Sequence, residues 1–260
     1  MAWIESLQQA WRDRQERAAL ARRPIPDRLW RRTLKRFPFL IEGSGRDEAQ
    51  LRRLTSLFLD RKEFTGANGL SITDDMAVAI AAQACLPVLH LGLQAYDSFV
   101  GIVVQPGQVR VRREHMDEHG IVHEGEEVLL GEAVPGGPVM LSWRDVRASG
   151  ATAGDSVNVV IHEFAHLLDL ADGELNGRPP LPPDLSPRLW DEVMQAEYEA
   201  FCLRVDAEEI TVIDPYGAEA LDEFFGVASE AFFVNRAGLQ REHPRVDELL
   251  ARCYRFPMTL

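Results

Sequence analysis

The first 65 residues show the apolar spacing of amphipathic helices among many charged positions. Apolar residues three or four positions apart line one face of each segment, and Pro24, Pro26 and Pro38 mark places where a helix ends. The pattern predicts three helices: one with Trp3, Leu7 and Trp11 on one face, one that Asp27 can cap and that closes before Pro38, and one over Asp47–Arg61.

The segment from Met76 to Tyr96 is almost entirely apolar and is long enough to span a bilayer. It is interrupted by Gln83, Pro87 and His90, however, and Thr73 can cap a helix just ahead of it. Because Pro87 ends a helix near the residues that precede it, we predict a buried helix over residues 75–86 and no contact with a membrane.

Between residues 98 and 145 the pattern changes to short apolar runs and alternation, which is typical of strands. Turn residues at Pro106-Gly107 and Pro135-Gly136-Gly137 separate these runs. We therefore expect a small, largely antiparallel sheet, with strands at 98–104, 108–112, 128–130 and 138–143.

The helical pattern returns at Asp155 and is interrupted by a proline-rich loop over residues 179–187. Further helices are expected at about 187–204, 219–234 and 245–253. Helices, then a sheet, then helices make an α+β chain. We expect one domain over residues 1–260, in which a helical part, 1–65, packs on a core, 66–260.

Composition is that of a globular protein, with 46% hydrophobic and 27% charged residues. The 28 basic and 41 acidic residues give a net charge of −13, which opposes direct binding to nucleic acid. Basic residues are concentrated in the first 65 positions, either as a partner surface or as solvated helix faces. Three widely separated cysteines suit a reducing compartment, and the N-terminus lacks the apolar core of a signal peptide, so we expect a cytoplasmic location.

One motif indicates metal chemistry: His162, Glu163 and His166 form His-Glu-x-x-His. On a helix, positions i and i+4 share a face, so both imidazoles can bind one Zn²⁺ while Glu163 points toward the open coordination position. Gly154-Asp155 and Asp172-Gly173 are good start and stop signals for this helix, and its flanks are apolar nearly all round. A buried helix with these polar residues predicts a metal site; the alternative is a pair of core histidines satisfied by hydrogen bonds.

A second segment, His115–His119, fits the inverted motif His-x-x-Glu-His. It follows a strand-like run, meets Gly120 at once and has mostly charged neighbours, which favours an exposed hairpin. We therefore expect it to bind no metal.

A catalytic zinc needs a third protein ligand, and the many downstream carboxylates leave that choice open. Longer stretches of sequence bear on the choice of the third ligand, namely residues 80–85, 131–133, 137–143, 162–169 and 215–233. In these stretches the chain resembles the Mlc titration factor A family of zinc peptidases, and the similarity covers about residues 25–235.

The resemblance implies a zincin-like, gluzincin-type domain related in fold to the catalytic domain of anthrax lethal factor, with a central metal-binding helix. It implies zinc held by His162, His166 and a glutamate of the helix Asp222–Phe233, with Glu163 as catalytic base. It also implies a tyrosine seven residues before the ligand glutamate, and Tyr216 and Glu223 fit that spacing. Glu230, the alternative, lies nearly two helical turns from Glu223, so one zinc cannot take both.

We therefore expect a zinc metallopeptidase acting on a peptide or protein substrate, with aminopeptidase or endopeptidase action left open. The family resemblance further implies modest aminopeptidase activity and a repressor of the Mlc type as partner. Strand Val139–Trp143 is a candidate edge strand for an extended peptide substrate. The alternative is a non-enzymatic protein that sequesters a transcriptional regulator.

Overall fold

The computed structural model describes residues 3, 14–42, 46–107, 109–116, 122–129, 131–133, 137–149 and 156–257. Residues 14–22 are helical, and Trp3 is helical and exposed. Leu7 and Trp11, expected on the same helix, lie outside the described residues. The next three helices are α1 (Asp27–Arg36), α2 (Glu48–Arg61) and α3 (Asp74–Ala84).

Two of these helices start at the residues that the sequence predicts. The Asp47 side chain accepts a hydrogen bond from the Gln50 N–H at the start of α2, and Thr73 does the same for Met76 at the start of α3. Helix α1 differs, because Pro26 occupies the cap position and no side chain caps it. Asp27 is instead the first helical residue, where its negative charge interacts favourably with the helix dipole.

From Trp143 onward, the described part of the chain consists of helices and loops. The sequence pattern ends a predicted helix at residue 234 and does not predict the short helix after Asn235, whose side chain accepts a hydrogen bond from the Gly238 N–H. The helices are α4 (Trp143–Ala148), α5 (Val159–Asp169), α6 (Pro187–Asp206), α7 (Leu221–Val234), α8 (Arg236–Glu242) and α9 (Pro244–Cys253).

The expectation of a largely antiparallel sheet is wrong. The main sheet has the order β1-β2-β6-β5, in which β1 and β2 are parallel, β2 and β6 are parallel, and only β5 and β6 are antiparallel. The β1–β2 pair involves an unpredicted strand, β1, just before α3, and its parallel direction needs a crossover that includes α3. The strands are β1 (Glu63–Gly66), β2 (Gly101–Gln105), β5 (Gly131–Ala133) and β6 (Val139–Ser142), and β3 (Val109–Met116) and β4 (Val122–Leu129) form a separate antiparallel hairpin.

Strand β6 is not the edge strand that the sequence suggests. It lies between β2 and β5, and its residues Val139 and Leu141 are buried. Among the described strands, β1 and β5 form the edges of this sheet. Strand β5 is the edge that packs against helix α5.

Helix α5 lies at the centre of the molecule. Every residue from Val159 to Asp169 is buried, and the helix packs against α3, α7, β5 and β6. The buried hydrophobic residues form one cluster that extends from Ala19 to Phe256. In the part of the chain that the structure describes, no helix combines the length and apolar character needed to cross a bilayer.

Candidate metal centre

The Asn158 side chain caps the start of helix α5. The Asn158 Oδ1 atom accepts a hydrogen bond of 3.0 Å from the Ile161 N–H. The predicted start, Gly154-Asp155, lies outside the described residues. The predicted stop is confirmed, because Gly173 takes a left-handed conformation with φ of 99° directly after the last turn.

Three donor atoms from two helices meet beside α5. The Nε2 atoms of His162 and His166 are 3.0 Å apart, and the two rings stand nearly perpendicular, at 85°. Glu223, on α7, places Oε2 3.0 Å from Nε2 of His162 and 3.4 Å from Nε2 of His166. The structure thus brings together the three residues that the sequence proposes as ligands.

These separations fit a zinc ion. With Zn–N distances of about 2.0–2.1 Å, tetrahedral geometry places ligand atoms roughly 3.3 Å apart. The three distances within the cluster lie between 3.0 and 3.4 Å. Two imidazoles and one carboxylate are also the donor set of many catalytic zinc sites that keep a fourth position open.

Gly226 allows α7 to approach this closely. It lies about one turn after Glu223 and faces the His162 ring. A Cβ atom at this position would lie 2.7 Å from Cε1 and 2.9 Å from Nδ1 of His162. Since carbon atoms in contact normally stay about 3.5–4.0 Å apart, any side chain here would displace the ring or the helix.

Glu230 lies on the far side of the His162 ring from the donor cluster. Its Oε1 atom is 2.8 Å from Nδ1 of His162, and its other oxygen accepts a hydrogen bond from the backbone N–H of Asn158. Glu223 alone of the two glutamates approaches the Nε2 atoms.

Tyr216 lies at the open side of the cluster. It belongs to the short 3₁₀ helix Pro215–Ala218, where the Asp214 side chain accepts a hydrogen bond from the Tyr216 N–H. Its hydroxyl donates to Oε1 of Glu223 at 3.3 Å, and 49% of the residue is exposed. Tyr216 is therefore accessible to solvent, while His162, Glu163 and His166 are largely shielded.

The family model for the glucose-regulated metallo-peptidases M90 matches residues 9–255. The chain belongs to this family. The resemblance to Mlc titration factor A is confirmed as well, at 33% identity over 222 residues to that protein of Pectobacterium atrosepticum, covering 84% of this chain and 82% of the relative. An uncharacterized protein of Synechocystis sp. is 35% identical over 246 residues, or 94% of this chain and 88% of the relative.

Charge within this M90 site is balanced between helices. Burial opposes a charged His162, but hydrogen bonds to Glu223 and Glu230 outweigh it and raise the pKa of His162 well above its ordinary value. Burial likewise opposes a charged Glu223, yet the hydrogen bonds from His162 and His166 hold the pKa of Glu223 below its usual range. Burial raises the pKa of Glu163 to about 7.

Sequence reasoning missed Asp169, which joins α5 to the loop that follows it. This buried carboxylate accepts hydrogen bonds from the backbone N–H groups of Asn176, Gly177 and Arg178, at 3.0, 2.7 and 2.8 Å. A Cβ atom on Gly177 would lie 2.8 Å from the Leu221 carbonyl oxygen, so this loop packs directly on the first residue of α7. The available signal was an acidic residue ending an otherwise apolar helix in this M90 sequence.

The described part of the competing motif, His115 and Met116, lies on a strand. His115 lies in β3, opposite His123 of β4, and the strand continues through Met116. His119 lies outside the described residues. An extended backbone at His115 and Met116 excludes the single helical turn that would bring positions i and i+4 to one metal ion.

Proposed function

We propose that this protein is a zinc-dependent peptidase whose zinc ligands are His162, His166 and Glu223. The convergence of two Nε2 atoms and one carboxylate oxygen within 3.4 Å carries the proposal. Membership of a metallopeptidase family supports it independently. A zinc ion held by these side chains would supply the Lewis acid that activates water and polarises the scissile carbonyl.

Glu163 is the general base in this proposal. It follows the ligand His162 directly on α5 and is buried. At this position its carboxylate could take a proton from a water molecule that zinc activates, as a positioned general base does. Glu163 accepts the proton of the attacking water and then donates it to the leaving amine.

Tyr216 is the oxyanion donor in this proposal. Its hydroxyl reaches the outer oxygen of Glu223 and lies on the exposed side of the site. A hydroxyl placed beside the metal ligand can hydrogen-bond to the negative oxygen that develops on the substrate carbonyl.

In this proposal the strand that binds an extended peptide substrate is β5, and not β6 as the sequence suggests. Strand β6 is paired on both sides, whereas β5 is an edge of the described sheet and packs against α5. The free edge of a strand can pair with an extended peptide through backbone hydrogen bonds. A peptide bound there would lie beside the helix that carries Glu163.

Glu163→Gln tests the proposed activity. With the base removed, hydrolysis should fall at least about 10²–10⁴-fold while one zinc per chain is retained, because Glu163 is not a ligand. A zinc-loaded chain incubated with a mixed peptide library and followed by mass spectrometry measures the loss. The same spectra distinguish trimming from the end, as an aminopeptidase does, from internal cleavage.

Glu199→Gln is the matched control, since Glu199 is exposed on α6 and bonds only to the nearby Gln195 among the described residues. It should cleave like the wild type. Near-normal hydrolysis by Glu163→Gln would contradict the mechanism.

A repressor of the Mlc type is the proposed partner. The observation that favours it is the name Mlc titration factor A, which relatives at about 33% identity carry. Immobilised repressor should retain both the wild type and Glu163→Gln, because binding needs no chemistry. Repressor binding by a zinc-loaded chain that cleaves no peptide would favour the non-enzymatic alternative.

The proposed location is the cytoplasm. All three cysteines are free thiols, and Cys85 and Cys253 are buried in the core. Free thiols persist in a reducing compartment.

A further inference from the structure

Glu230 uses both carboxylate oxygens to join α7 to α5. One oxygen is 2.8 Å from Nδ1 of His162, and the other accepts the backbone N–H of Asn158. The glutamate is only 4% exposed, so neither bond competes with bulk water. A carboxylate this deeply buried is stabilised only where hydrogen bonds satisfy it.

The first of these bonds fixes which nitrogen of His162 carries a proton. A carboxylate can only accept, so Nδ1 of His162 must donate. In the neutral ring the lone pair then lies on Nε2, the atom that faces His166 and Glu223. Without Glu230 the ring could hold its proton on either nitrogen and turn more freely.

The second bond fixes the start of the helix that carries His162. Asn158 is the cap of α5, and its side-chain amide also donates to Oε1 of Gln83, on α3, at 2.9 Å. His162 follows one turn later, and its N–H donates to the Asn158 carbonyl. One carboxylate therefore holds both the imidazole and the helical turn from which it extends.

We propose that Glu230 is a positioning residue for the metal centre: it holds His162 with Nε2 directed at the ion and raises the basicity of this ligand. The inference rests on the proposed zinc site and not on peptide hydrolysis. Outer carboxylates of this kind typically change metal affinity 10–100-fold when mutated.

Glu230→Gln is the decisive variant. The amide keeps the size of the side chain but has a single acceptor oxygen, so it cannot serve His162 and Asn158 with two separate oxygens. The zinc Kd, measured by competition with a chelating dye, should weaken about 10–100-fold. The Co²⁺-substituted protein should show a shifted visible absorption spectrum, because the geometry at one ligand changes.

Ser229→Ala is the matched control for loss of a buried polar group on the same helix. The Ser229 hydroxyl donates to the Phe225 carbonyl and accepts from Tyr254, away from the metal cluster. This variant should lower the thermal midpoint of the zinc-free protein and leave the zinc Kd within about twofold of the wild-type value. Glu223→Ala, which removes a proposed ligand, should lose stoichiometric zinc.

A second measurement uses the wild type, so it does not depend on whether a variant folds. Nuclear magnetic resonance of ¹⁵N-labelled histidine in the zinc-loaded chain should show His162 protonated at Nδ1 and metal-bound through Nε2. Metal bound through Nδ1, or an unchanged zinc Kd in Glu230→Gln, would overturn the inference. Equal weakening by Ser229→Ala would also overturn it, by showing a general loss of stability.

The inference and the proposed function can fail separately. A wild type that binds zinc but hydrolyses no peptide would refute the peptidase, while the zinc Kd of Glu230→Gln would still decide the role of Glu230. A wild type that binds no zinc would refute the metal centre and this inference together.

Discussion

Tyr216 differs from the other site residues in its exposure. His162, Glu163 and His166 are buried on α5, whereas half of Tyr216 is open to solvent on a 3₁₀ helix. Its hydroxyl bonds to Oε1 of Glu223, and not to the oxygen nearest the histidines. This placement is consistent with the proposed role, in which Tyr216 contacts a substrate and is not a metal ligand.

Tyr216→Phe separates these two roles. Removing one oxyanion donor should lower kcat about 10²–10³-fold, with zinc stoichiometry unchanged. Steady-state kinetics on a peptide cleaved by the wild type, together with metal analysis, measures both. An unchanged kcat would leave Tyr216 as an aromatic residue that covers the site.

Local spacing could predict only the part of this site that lies on one helix, and Glu223 and Tyr216 were predicted through the family resemblance. His162, Glu163 and His166 lie on one helical turn, so their spacing alone indicates a metal. The contacts of Gly226 and Glu230 with His162 depend on how α7 packs across α5. The local sequence pattern does not predict how two helices pack. The same limit explains the sheet, because β1 is a four-residue strand whose parallel partner lies beyond α3.

At the scale of elements, the centre depends on the contact between α5 and α7. Helix α5 supplies two donors and α7 the third, and Gly226 lets the His162 ring lie against the α7 backbone. Asp169 fixes the loop that packs on the start of α7. The distances within the cluster are thus set by helix packing as much as by the ligands themselves.

Gly226→Ala tests that dependence. Alanine favours a helix by about 1 kcal/mol over glycine, but overpacking typically costs about 1–3 kcal/mol. We expect a small change in the thermal midpoint of the zinc-free protein and a loss of zinc affinity of at least about tenfold, since the displaced ring belongs to a proposed ligand. Dye competition and thermal unfolding measure the two effects.

Gly238→Ala serves as its control. A Cβ there would lie 2.9 Å from the Asn235 side chain, a similarly close contact in α8 away from the cluster. Its zinc Kd should match that of the wild type. Equal zinc affinity in Gly226→Ala and the wild type would refute the role assigned to Gly226.

At the scale of the molecule, we propose that the chain folds as one domain. Phe58, in the helical N-terminal part, packs 5.7 Å from Phe164 of α5, measured between ring centroids. The proposed boundary at residues 65 and 66 also falls within β1, which pairs with β2 of the core. The N-terminal part therefore completes the sheet and supports the helix that carries the site.

Phe58→Ala should reveal this coupling. Removing a wholly buried ring should lower the free energy of unfolding by about 3–5 kcal/mol. Urea unfolding followed by circular dichroism and by tryptophan fluorescence should give coincident transitions, as expected for one cooperative unit. Leu203→Ala, at a position 71% exposed, should change stability by no more than about 0.5 kcal/mol. Two separate transitions would indicate two domains.

Because glycine has no side chain, Gly226 also affects how the function of homologous sequences is assigned. A single codon change at this position could disable the centre while every proposed ligand remains in the sequence. The presence of His-Glu-x-x-His and the distant glutamate in a homologue is therefore not enough to identify it as an enzyme. The residue at the position of Gly226, three after that glutamate, also has to be checked. A bulky amino acid there would identify homologues that have lost the metal centre.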